Sequence, residues 1–192
     1  MITGVDDSVL VVFISAVLVN NLVLEWQLAL SPFLAGSRRI DVAMGLALTS
    51  LVVMTTGALI GFALHHFLLV PLALTWMSLI LVLFSLVVLM QLTAGLIKSR
   101  WPGIDQKYGV FLPLLMLNSS ILAVVLITIE KAEAAGMAFV FSLGSATGFG
   151  LVLVLFAGLR ERLERTVVPK TFKGIPISLI TLGLFSIAFS GF

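Results

Sequence analysis

The chain has 192 residues, of which 60% are hydrophobic and 10% charged, and its mean hydropathy is +1.24. A soluble domain is about half apolar and about a quarter charged, so this composition leaves no water-facing surface and makes the bilayer the solvent. A formal net charge of +2 without a basic patch argues against nucleic acid as a partner, and the absence of cysteine excludes disulfides, thiolate metal sites and cysteine nucleophiles.

A spanning helix needs about 20 mostly apolar residues, and six segments meet or approach that length. Met1 to Asp7 carries two aspartates and no basic residue, unlike a cleavable secretory signal. The first helix is therefore predicted as a retained span over Ser8–Leu30. The second is predicted over Val42–Leu64, the third over Phe67–Ile97, the fourth over Gly109–Ile129, the fifth over Ala134–Leu159 and the sixth over Ile175–Phe192. The breaks carry most of the charge, and Pro and Gly mark several of them. The fold class expected is all-α integral membrane.

Arg38 and Arg39 follow the first helix, Lys98, Arg100 and Lys107 the third, and Arg160, Arg162, Arg165, Lys170 and Lys173 the fifth. Only Lys131 falls on the opposite side, beside Glu130 and Glu133. The positive-inside rule then places the three basic loops in the cytoplasm and both termini outside.

Two helices are abnormal. The first holds Asn20-Asn21, then Glu25-Trp26-Gln27, then Ser31-Pro32; the fourth holds Pro113 and then Asn118-Ser119-Ser120. Polar groups and irregular backbone at membrane depth face protein or a cavity. The second helix carries Gly57-x-x-x-Gly61 and the fifth Gly144-x-x-x-Gly148, pairs that let helix backbones approach closely. Helices one and four match in being broken, and helices two and five in their glycine pairs. That is the pattern of two inverted three-helix halves, 1–100 and 101–192, whose broken helices meet near the midplane.

Individual signals keep two readings. Asn20-Asn21 is either an interhelical hydrogen-bonding element or part of a functional pocket. Glu25 either marks the cytoplasmic end of the first helix or is an ion- or proton-handling carboxylate. His65-His66 reads as an interfacial anchor, since adjacent residues point to different faces of a helix and make a poor metal pair. Arg160 to Arg165 alternates in sign, which fits either a solvated topology anchor or a docking surface for a peripheral protein. No Ser/His/Asp set and no phosphate-binding glycine loop supports an autonomous catalytic site.

Val19-Asn20-Asn21-Leu22-Val23-Leu24, then Leu30-Ser31-Pro32-Phe33-Leu34, resemble the start of the six-helix membrane subunits of Rnf and Na+-translocating NADH:quinone oxidoreductase complexes. The likeness is to the RnfA/NqrE branch. It continues through Tyr108 to Leu114 and Asn118, through Gly148-Phe149 and Val152 to Phe156, through Arg160 to Leu163, and closes with Pro169, Phe172, Gly174 and Ile177 to Phe192. The resemblance implies six helices in two inverted halves and a location in the bacterial cytoplasmic membrane. It implies pairing with a homologous six-helix subunit of opposite orientation, alongside flavin and iron-sulfur subunits. It also implies two cysteines from each member of that pair, together holding a [2Fe-2S] cluster in a path that couples electron flow to Na+ or H+ movement.

The chain departs from that pattern at both ligand positions, where Ser31 and Ser119 stand in place of cysteine. Clusters are held by thiolate, and a serine hydroxyl is a poor ligand for soft iron. Natural loss of the cluster, replacement of cysteine by serine, and a cluster held by serine oxygen or by the partner alone all remain open. Asn20, Asn21, Ser31, Asn118 and Ser119 are the expected polar centre. Two functions compete with a role in electron transfer. One is a redox-free transporter or channel on the same scaffold, as a homodimer with Glu25 as coupling group. The other is a purely structural role in assembly.

Overall fold

In a computed structural model the described residues are 9–19, 21, 24, 30–37, 39–100, 119–132, 134–164 and 169–189. Helix α1, Val9–Ile14, runs on into a π-helical stretch, Ser15–Val19. The short helix α2 is Leu30–Gly36 and α3 is Ile40–Leu64, extended by π-helical turns over His65–Leu69. Helix α4 is Ser78–Arg100, entered through a 3-10 turn at Thr75–Met77. Then follow α5, Ser119–Lys131, α6, Ala135–Glu164, and α7, Ile175–Phe189. No strand occurs among the described residues.

Three helical stretches, Ile40–Leu69, Thr75–Leu96 and Ala135–Glu164, are long and apolar enough to cross a membrane. At 1.5 Å per residue the two 30-residue stretches are about 45 Å long, more than the roughly 30 Å of hydrocarbon. The Val9–Leu18 and Ile175–Phe189 helices are apolar but shorter. The predicted boundary between the second and third helices is wrong. The helix does not stop at His65-His66; Val70 N–H donates to the His65 carbonyl at 3.0 Å, and the turn comes after Pro71, which has no N–H to give. His66 stacks on Phe62 with ring centroids 5.7 Å apart, so the histidine pair is still part of the helix.

The distribution of polarity is inside-out relative to a water-soluble protein. Leu48, Phe67, Trp76, Phe84, Leu96 and Ile187 are exposed, while Asn21, Ser50, Thr128, Ser142 and Ser145 are buried. Most hydroxyls in the helices return to their own backbone, as Thr128 does to the Val124 carbonyl at 2.7 Å and Thr147 to the Leu143 carbonyl at 2.6 Å. That is how a helix satisfies a hydroxyl where no water competes.

Helices α3 and α6 form the central pair. Their meeting faces are small: Ala43, Ser50 and Gly57 on one, Ala138, Ser142, Ser145, Ala146 and Gly150 on the other. A Cβ built on Gly150 would come 3.0 Å from that of Ala47. Each middle helix also seats a helix from the opposite half of the sequence on its glycine pair. Gly57 and Gly61 face Val125 of α5, and Gly144 and Gly148 face Phe13, Ala16 and Val17 of the first helix. Helix α4 lies outside this framework, with 17% of its apolar stretch buried against 56% for α6.

At Gly148 an added Cβ would sit 2.7 Å from the Val17 carbonyl oxygen, a backbone atom that cannot swing aside, whereas at Gly95 it would meet nothing within 4 Å. Gly148→Ala is therefore expected to destabilise the protein by roughly 1–3 kcal/mol and Gly95→Ala to leave it unchanged. Thermal unfolding in detergent, followed by fluorescence-detected size exclusion, distinguishes them; equal melting temperatures would refute the close-approach argument.

Candidate functional site

The first helix loses helical hydrogen bonding after Val19. Asn21 is non-helical, Leu24 lies in a turn, and helical structure resumes at Leu30. Asn21 is 2% exposed, and its Nδ2 donates to the Val17 carbonyl at 3.1 Å, serving a group at the helix end. Gly148 of α6 lies directly beside it. The Leu24 carbonyl accepts the Ser186 hydroxyl of α7 at 2.8 Å. A carbonyl released by a helix break is thus answered from the last described helix.

Helix α2 carries Ser31 at its second position. Two residues on, the fully buried Phe33 packs between Phe149 and Phe156 of α6, with ring centroids 6.4 and 5.1 Å away. The end of α2 is held by the same partner. Arg160 Nη1 donates to the Leu34 carbonyl at 2.5 Å and to the buried Ser37 hydroxyl at 2.8 Å. Across the bend, the first N–H of α3, from Ile40, donates to Glu161 Oε1 at 3.0 Å. The capping residue Arg39 supplies no side-chain bond there. A cation thus meets the carbonyl end of one helix and an anion the N–H end of the next, the favourable sense for both helix dipoles. The bend is tight because residue 36 is glycine: a Cβ there would collide with Leu46.

Ser119 is the first residue of α5 and is exposed, while its neighbour Ser120 is buried. Asn20, Glu25 and Asn118 lie outside the described residues, as does the break predicted in the fourth helix. The structure therefore gathers Asn21 and the Ser31 helix on α6, and sets Ser119 at the head of a helix carried by α3. Sequence reasoning missed Ser186, Arg160 and Glu161 as supports of this region. The only signal for the last two was their adjacency with opposite charge.

The donors here are an amide, hydroxyls and backbone groups. No cluster of three His, Cys, Asp or Glu occurs among the described residues. Such oxygens and amides can solvate a hard cation or water. Hydroxyls do not fit a [2Fe-2S] cluster, which takes thiolate, and the chain has no cysteine to offer.

Removing the Ser186 hydroxyl is expected to lower stability by roughly 1–3 kcal/mol, because the Leu24 carbonyl loses its donor where water is scarce. Thr181→Ala is the control, since that hydroxyl only returns to its own helix at the Ile177 carbonyl. If Ser186→Ala melts no lower than Thr181→Ala, the bond across to α7 does not hold the break.

A family model for membrane proteins, described as the Rnf-Nqr subunit, matches residues 9–192. Similar proteins include the A subunit of the ion-translocating oxidoreductase complex of Pasteurella multocida, 38% identical over 183 residues and 95% of each chain. Those of Pseudoalteromonas translucida and Azotobacter vinelandii carry the same name, at 39% over 93% and 42% over 96% of each chain. With apolar helices long enough to cross a membrane more than once and a match over almost its whole length, this chain belongs to the Rnf-Nqr family of multi-pass membrane subunits.

Proposed function

We propose that this chain is the A-type membrane subunit of an ion-translocating oxidoreductase complex, in which electron flow drives Na+ or H+ across the bacterial cytoplasmic membrane. The observation that carries this is the family match over residues 9–192, joined by relatives that bear the name of that subunit. The chain has six spans in two inverted halves, 1–100 and 101–192, with the basic loops inside and both termini outside. The exchange of helices between glycine pairs supports the inverted arrangement. Each middle helix receives the first helix of the other half, through the limb before Ser31 in one case and the limb after Ser119 in the other.

The polar centre comprises Asn20, Asn21, Ser31, Asn118 and Ser119, with Glu25 as the candidate coupling carboxylate. It faces a homologous six-helix subunit of opposite orientation, and exposure of Ser119 at the head of α5 suits a position shared with a partner. The donor set argues that this chain contributes no thiolate to a cluster. Its own residues then act as oxygen and amide donors along an ion path.

Two measurements test the reading. A tagged chain solubilised in mild detergent is expected to retain a second six-helix subunit together with flavin and iron-sulfur subunits. A stable homodimer free of redox subunits would overturn the assignment and favour a redox-free transporter. The dithionite-reduced complex is expected to lack a [2Fe-2S] paramagnetic signal from this six-helix pair, and Ser31→Cys with Ser119→Cys to add iron. A stoichiometric signal in the parent that disappears on Ser31→Ala would instead establish serine ligation and refute the cluster-free reading.

A further inference from the structure

Arg160 and Glu161 are consecutive on α6, yet they serve opposite sides of one bend. Successive residues on a helix are about 100° apart, so the two side chains splay and bracket the α2–α3 elbow from either flank. Arg160 takes the carbonyl side through Leu34 and Ser37, and Glu161 takes the N–H side through Ile40. Ser37 donates in turn to the Leu34 carbonyl at 3.3 Å, so guanidinium, hydroxyl and carbonyl close a three-membered set. Phe33 supplies the apolar attachment of the same short helix to the same partner. The aromatic and the polar attachments of α2 thus both lead to α6. Net positive charge alone, which is all a topology anchor requires, would not demand this order of signs.

We propose that Arg160 and Glu161 are positioning residues for the helix that carries Ser31: they lock the pose of α2 on α6, and the sign at each position is required. The functional weight of that pose rests on the reading of Ser31 as part of the polar centre. The geometric claim stands apart from it. Exchanging the two residues, Arg160→Glu with Glu161→Arg, keeps composition and net charge. It nevertheless sets a carboxylate against a carbonyl and a guanidinium against an N–H, so both contacts are lost.

Because the chain has no cysteine, Ser31→Cys installs a single thiol on α2, and its maleimide labelling rate in the assembled complex reports the pose of that helix. Arg160→Ala, Glu161→Gln and the exchange variant are each expected to change that rate roughly fivefold or more, the scale of one lost hydrogen bond to a charged group. A separate Phe84→Cys probe on the exposed face of α4 is expected to label at the parent rate in all of them. Ser37→Ala, a mild change that keeps both charges, should shift the Ser31→Cys rate in the same direction and by less. An exchange variant that labels like the parent at Ser31→Cys would overturn the proposal, as would equal changes at both probes or a Ser37→Ala rate identical to the parent. Ion translocation measured on the same variants separates the two claims. A moved α2 with undiminished translocation would leave the lock in place and refute the central role of Ser31.

Discussion

A helix that stops inside a membrane must find partners for the backbone groups it releases, because the hydrocarbon offers none. In this protein that requirement is met one group at a time. Asn21 serves the Val17 carbonyl, Ser186 the Leu24 carbonyl, Arg160 the Leu34 carbonyl and Glu161 the Ile40 N–H. Three of the four partners come from the far end of the chain. The irregular first helix is therefore tolerable only as part of an assembled fold, and α6 is the element on which most of that assembly rests.

For α6 to carry so much, its neighbours must come close to its backbone. Gly144, Gly148 and Gly150 remove the side chains that would prevent this, and Ala47, Ala16 and Val17 occupy the space. Selection for small size in the α3–α6 seam also explains its serines. The Ser50, Thr55 and Ser145 hydroxyls are buried without a hydrogen-bond partner, at a cost of about 1–3 kcal/mol for each fully desolvated group. The seam accepts that cost in exchange for close backbone packing, which is the principal attraction between helices where lipid is as apolar as the side chains.

Much of the architecture was legible in the sequence because the bilayer imposes a coarse code. Apolar length located α3, α4 and α6, and the spacing of Gly57-Gly61 and Gly144-Gly148 named the faces that receive other helices. Asn21 and the break beyond it were visible as amides in an apolar run. The end of the second helix was not, because Phe67, Leu68 and Leu69 are as apolar as what precedes and follows them, and Pro71 was the effective stop. The inward reach of Arg160 and Glu161 was hidden for a different reason. A charged helix end in water and a charged clamp on a buried bend have the same local sequence, and only the partner 120 or so residues away tells them apart. Ser186 carried no signal at all, being one hydroxyl in a helix of apolar residues.

Those long separations bear on how the protein is made. The bend at Leu34–Ile40 leaves the ribosome 121 to 126 residues before the side chains that complete it, and Leu24 precedes Ser186 by 162. At translation rates of about 5–20 residues per second, the gap is on the order of ten seconds. During that interval the first helix cannot adopt its final form in lipid without exposing bare backbone groups. It must wait at the insertion machinery or at the wet membrane surface until α6 arrives, so biogenesis of the N-terminal half is coupled in time to synthesis of the C-terminal one.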